Sequence, residues 1–193
     1  MVDVPEGRTG IVTGSAVPYE FFITKGKGES PYQVHAGSYH RAMADAGIEL
    51  GNLVAYTSIL PPIAKEIPAR EGIRRIGHGD RVMLIQAVSH VEKGVTSPRR
   101  TAGILFGWLY KGGIRQGGLV CEEYRFETPE ETKENLEGCL KDVYVLPSRH
   151  RKSFEQRGFE LKDKRFIYET VAPEKNMELL WSDWCSSAIL PQY

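Results

Sequence analysis

One stretch limits the fold more than any other. In Gly103-Ile104-Leu105-Phe106-Gly107-Trp108-Leu109-Tyr110, the large residues at 104, 106, 108 and 110 alternate with leucines and a glycine, so a strand here has no polar face. Such a strand has to be covered on both sides, which points to a layered α/β protein rather than a sheet with one wet face. Residues Arg81 to His90 and Leu119 to Phe126 are rich in β-formers, and Phe166 to Val171 and Met177 to Trp184 read as two closing strands.

Helices are fewer. Tyr39, Ala42, Met43 and Ala46 fall at i, i+3, i+4 and i+7 within Ala36 to Ala46, with Gly47 placed for a left-handed cap. Thr128-Pro129-Glu130-Glu131 begins a second helix, with Thr as N-cap, Pro at the first position and Glu at the third, and Leu136, Cys139, Leu140 and Val143 supply its stripe. Gly10 to Ile23 suits an extended segment, and Lys25-Gly26-Lys27-Gly28-Glu29-Ser30-Pro31 reads as a turn. Its Gly-x-Gly lacks the third glycine and the Lys-Ser/Thr ending of a phosphate loop. Arg149 to Arg165 is charge-rich and reads as a solvated excursion. The expectation is an α+β fold, mostly antiparallel, in a single domain over residues 1–193.

Composition removes several function classes. The 193 residues carry 25 Lys plus Arg and 25 Asp plus Glu, so there is no basic excess for nucleic acid. Three cysteines, Cys121, Cys139 and Cys185, form neither a disulfide framework nor a zinc pattern, and the histidines His35, His40, His78, His90 and His150 show no metal-ligand spacing. There is no Gly-x-Ser-x-Gly elbow. The N-terminus has no apolar signal core, and no apolar run approaches the ~18 residues of a membrane helix, so the chain reads as cytoplasmic, with no membrane partner.

The chemistry sits in Asn52-Leu53-Val54-Ala55-Tyr56-Thr57-Ser58-Ile59-Leu60-Pro61-Pro62. If Asn52 to Ser58 is one strand, alternation puts Asn52, Val54, Tyr56 and Ser58 on one face, with Asn52 a polar group that needs a partner there. Two prolines after Ile59 and Leu60 stiffen the exit and would hold the Thr57–Ser58 peptide in a strained geometry.

This run resembles the processing site of the pyruvoyl-dependent arginine decarboxylase family. Gly28-Glu29-Ser30-Pro31, Ala42-x-x-Asp45-Ala46-Gly47-Ile48 and Glu122-Glu123-Tyr124 after Gly117-Gly118-Leu119 are similar to that family's upstream turn, helix end and acidic strand. The resemblance implies an α/β/β/α sandwich, like the pyruvoyl-dependent arginine and histidine decarboxylases. It also implies a homotrimer of processed protomers, or a dimer of such trimers, with sites between neighbours.

The chemistry it implies has two stages. Ser58 attacks the carbonyl of Thr57, the chain parts into a β chain 1–57 and an α chain 58–193, and Ser58 becomes a covalent pyruvoyl cofactor. The ketone then condenses with the α-amine of a small amino-acid substrate and acts as the electron sink while CO2 leaves, arginine giving agmatine. The resemblance makes Glu123 the acid that reprotonates the α-carbon, its pKa raised by apolar neighbours, with Glu122 pointing to the opposite face. Asn52 joins Ser58 and Glu123 as a catalytic residue, and Tyr39, His40 and Ile59 bind substrate.

One position departs from the family. Where its members keep an acidic residue for the guanidinium, this chain has His40, followed by Arg41. A carboxylate gives a guanidinium two charge-assisted bonds that His cannot supply. Either another carboxylate (Asp45, Glu49 or Glu29) holds arginine, or His40 and Arg41 suit an acidic or neutral substrate. A shift of the local alignment, leaving His40 a solvated helix residue, is a third account. A non-processing structural or regulatory paralogue is the remaining alternative, and the joint presence of Thr57-Ser58, Asn52 and Glu123 counts against it.

Overall fold

The computed structural model describes residues 17–30, 35–91, 99–142, 155–172 and 180–191, the last stretch and residues 35, 36, 141 and 142 by backbone alone. Two sheets carry most of the chain. The first holds β1 (Pro18–Ser30), β2 (Asn52–Ala55), β4 (Lys65–Glu66), β5 (Arg81–Val91) and β9 (Leu180–Pro191) in the order β2-β5-β9-β1-β4. The second holds β3 (Ile59–Leu60), β6 (Arg100–Lys111), β7 (Ile114–Glu123) and β8 (Phe159–Val171) in the order β3-β7-β6-β8. The pairings β1–β4 and β2–β5 are parallel; the others are antiparallel. Helices α1 (His35–Ala46), α2 (Ala69–Ile73) and α3 (Pro129–Asp142) complete the described elements with a short 3-10 turn, Glu155–Arg157.

The doubly apolar stretch lies in the middle of β6. Ile104, Phe106 and Trp108 bury one face against Phe21, Met83, Ile85 and Leu60, a core that draws on both sheets. Leu105 and Leu109 bury the other against Leu136 and Leu140 of α3. Phe22, Val82 and Leu84 turn away from the shared core to meet Ala42 and Ala46 of α1. Burying side chains of this size contributes roughly 1.5–3 kcal/mol each, which makes β6 the most heavily anchored strand. Arg165 of β8 reaches Glu66 of β4 through two hydrogen bonds, tying the second sheet to the edge of the first.

Helix α3 begins as its sequence implies. The Thr128 hydroxyl accepts from the Glu131 N–H at 3.2 Å and donates to the Glu131 carboxylate at 2.9 Å, so the N-terminal turn is capped.

Three sequence expectations are corrected. Of the turn expected at Lys25–Pro31, Lys25 to Ser30 form the second half of β1, which runs unbroken to Ser30, and Pro31 lies outside the described residues. Its glycines serve close approach: a Cβ on Gly26 would lie 2.3 Å from the Ala42 carbonyl oxygen, and one on Gly28 would lie 2.4 Å from the Ser38 carbonyl, so only glycine lets α1 settle on β1.

The excursion from Arg149 is, from Phe159 onward, the edge strand β8; residues 149–154 lie outside the described residues. Its Lys162-Asp163-Lys164 run bulges, with Asp163 at φ 53° where the register against β6 slips, and charge on an exposed edge discourages further pairing. The strand expected over Asn52 to Ser58 ends at Ala55, and the chain leaves the first sheet there to join the second at Ile59. Asn52 is paired in the first sheet while Ser58 lies in the bend just before β3 of the second, so alternation along one strand does not bring them together. The remaining expected strands and helices fall within observed elements, except that the strand expected over Leu119 to Phe126 ends at Glu123, that Val17 precedes β1, and that residues 10–16, 143 and 177–179 lie outside the described residues.

Candidate active site

Ser58 lies at the crossover between the sheets. Tyr56 still bonds to the first sheet, donating its N–H to the Leu84 carbonyl at 2.8 Å, and is packed against the shared core. Two residues on, the Ser58 carbonyl accepts from the Val120 N–H at 2.9 Å, and Ile59 and Leu60 pair with Leu119 and Gly118 of β7. Leu60 is buried, so Pro61 and Pro62 follow a residue already fixed in the core. Close approach of β3 to β7 depends on Gly117, where a Cβ would meet the Leu60 carbonyl oxygen at 2.6 Å. The chain on either side of Ser58 is held by its backbone, through Tyr56 to the first sheet and through the Ser58 carbonyl to β7, and the Ser58 φ is not positive.

Alternation on β7 decides what Ser58 meets. Leu119 and Cys121 face α3, and Glu123 shares their side; Val120 faces the core between the sheets, and Glu122 shares its side. Ser58 Oγ accordingly lies 3.4 Å from Glu122 Oε2, in donating position. Glu122 keeps an exposed side, and the partial desolvation of its carboxyl pushes its pKa upward, with the Ser58 hydrogen bond partly opposing that.

Glu123 has the opposite environment. The Arg125 guanidinium donates to both its oxygens, at 2.9 and 2.7 Å, and the N–H groups of Tyr124 and Arg125 add 2.9 and 3.1 Å bonds. These donors, the Arg125 side chain foremost, hold its carboxyl down at about 2 against burial. The raised pKa expected at Glu123 is thus found at Glu122, and Glu123 is ionised and spoken for. The two carboxylates do face opposite ways, as alternation implies.

The other named residues are dispersed. Thr57 and Ile59 flank Ser58, and Ile59 is 57% exposed. Asn52 donates its side-chain amide to the Gly79 carbonyl at 2.8 Å, at the far end of β2 from the crossover. Tyr39 and His40 lie on α1, which packs on the face of the first sheet turned away from the shared core; Tyr39 packs there, and His40 is exposed. Beside it, Arg41 donates to the Glu29 carbonyl at 2.8 Å, and Asp45 accepts the Lys27 N–H at 3.0 Å.

A cavity of about 430 Å³ between α3 and β8, lined by Leu105, Leu140 and Leu161 among others, contains none of the named residues. Among the described residues no cluster of three or more His, Cys, Asp or Glu could hold a metal ion, Cys121 and Cys139 are free, and no helix is long and apolar enough to cross a membrane.

Comparison with known proteins gives the family. The family described as pyruvoyl-dependent arginine decarboxylase (PvlArgDC) matches residues 20–182. A probable pyruvoyl-dependent arginine decarboxylase of Chloroherpeton thalassium is 37% identical over 177 residues, covering 80% of this chain and 94% of the relative. Pyruvoyl-dependent arginine decarboxylases of Methanococcoides burtonii and Methanosarcina mazei are 28% identical over 116 residues and 30% over 114. The alignments span 61% and 59% of those two relatives and 60% and 59% of this chain. The chain belongs to the pyruvoyl-dependent arginine decarboxylase family, whose members are carboxy-lyases.

Proposed function

We propose that this chain is the precursor of a pyruvoyl-dependent decarboxylase that cuts itself between Thr57 and Ser58, giving chains of residues 1–57 and 58–193 from one domain, and that arginine is its substrate. The observation that carries this reading is Ser58 held at the crossover between the sheets, its hydroxyl in donating position 3.4 Å from the Glu122 carboxylate. A pyruvoyl group made from Ser58 supplies an electron sink for loss of CO2 from an amino acid. The residues present fit that group: a partly buried serine, its carbonyl fixed by Val120, and one acid within reach of its side chain.

Glu122 is the proton donor in this reading, in place of Glu123. A general acid works best with its pKa near the working pH, and burial moves Glu122 that way while Arg125 moves Glu123 the other. Asn52 supports the loop before β5 and orders the chain leading into the crossover.

Tyr39 and His40 are on the outer face of the first sheet, so a site using them together with Ser58 and Ile59 draws them from a neighbouring copy. That separation supports a homotrimer of processed protomers or a dimer of such trimers, each with layers in the order helix, sheet, sheet, helix. The exposed Val54, Ile59 and Ile63 around the crossover offer apolar surface for such contacts. The cytoplasm is its proposed compartment.

Release of CO2 and agmatine from arginine by the purified protein, absent in Ser58→Ala, is the expected result. No product from any amino acid in a fully cleaved preparation would remove the reading.

A second reading, decarboxylation of an amino acid with an acidic or neutral side chain, is favoured by His40 beside Arg41 and by Asp45 being engaged with Lys27. A panel of amino acids separates the two: agmatine as the dominant product excludes the second.

A further inference from the structure

We propose that the main-chain N–H of Ile59 is the oxyanion donor of the cleavage step. The inference rests on the self-cleavage reading and names the group that stabilises its transition state. That N–H donates to the Thr57 carbonyl oxygen at 2.8 Å. The bond closes a three-residue turn around Ser58, and since Ser58 is not among the positive-φ residues, it is the inverse γ-turn, a low-energy form.

The carbonyl so bound is the one the serine must attack. In the step, Ser58 Oγ forms a bond to the Thr57 carbonyl carbon, whose oxygen takes on negative charge. The bond from that carbon to the Ser58 nitrogen then breaks, leaving an ester, and the hydroxyl proton ends on the freed nitrogen. Atoms balance with no further reactant.

A donor in place before charge appears needs no reorganisation when it does appear, and a hydrogen bond to an oxyanion is roughly twice as strong as one to a neutral carbonyl. Ile59 can hold that position because its own residue pairs with Leu119 while the Ser58 carbonyl is fixed to Val120. Hydrogen bonds and β-pairing hold this geometry in place.

The test replaces the Ser58–Ile59 amide by an ester, using the α-hydroxy analogue of isoleucine at position 59, which deletes the N–H and keeps the side chain. Cleavage at Thr57–Ser58 is followed by intact mass, with the same ester at Ile63 as a control. The expected result is cleavage slowed about 100-fold or more in the first and unchanged in the second. Ile59→Pro removes the same N–H by ordinary mutagenesis and is expected to slow cleavage likewise.

Cleavage of the position-59 ester within about threefold of the wild-type rate, or equal slowing by both esters, overturns the inference while leaving self-cleavage standing. A wild-type chain that never cleaves overturns both.

Discussion

Ser58 Oγ and Glu122 Oε2 face each other at 3.4 Å across the pairing of β3 with β7, while the next carboxylate, Glu123, is turned to Arg125. Glu122→Gln keeps a carbonyl oxygen that can accept from Ser58, so the chain is expected to cleave. It loses the proton, so decarboxylation should fall about 100-fold or more. Wild-type turnover should decline as pH rises through the raised Glu122 pKa, and that limb should vanish in the variant. A Glu122→Gln protein with full turnover would contradict the assignment.

Glu123 predicts a stability effect instead. Its folded pKa, about 2, lies below the ordinary 4.5, so its contribution is fully present above 4.5 and is lost as pH falls from there toward 2. Arg125→Ala removes the largest cause of the depression, and the acid-unfolding midpoint should move up toward the ordinary carboxylate range, with turnover per folded, cleaved subunit little changed. An unmoved acid limb, followed by circular dichroism, would count against the pairing.

Gly117 predicts a positional effect. Its Cβ would meet the Leu60 carbonyl at 2.6 Å, so Gly117→Ala has to push β3 away from β7 and with it Ser58. Misplacing a reacting group by a fraction of an ångström to an ångström costs about 10- to 100-fold, and cleavage should slow by that order. Cleavage at the wild-type rate would mean that β3 does not need to lie so close.

The sequence carried β6 and the start of α3 more clearly than the site. A strand apolar on both faces can only be an interior strand, and β6 is one; Thr128 and Glu131 announce the start of α3 by chemistry that acts within one turn. The Gly26-x-Gly28 pair misled because a glycine chosen for a helix to rest on looks, in sequence, like a glycine chosen for a turn. The break after Ala55 was hidden for a similar reason: Tyr56 to Ser58 keep strand-forming residues while the backbone changes sheets.

Between Glu122 and Glu123, alternation separated the faces but could not say which face leads to Ser58, since Val120 and its neighbours Leu119 and Cys121 are all apolar. Arg125, two residues on, was the available signal, a cation placed to neutralise Glu123.

The central claim is that Ser58 is consumed in making the protein active. Intact-mass measurement of the purified chain under denaturing conditions tests it most directly. The account predicts two polypeptides, residues 1–57 ending in a free carboxylate and residues 58–193 beginning with a pyruvoyl group, and a single unmodified chain for Ser58→Ala. A wild-type preparation that stays one chain of unaltered mass after prolonged incubation would contradict it.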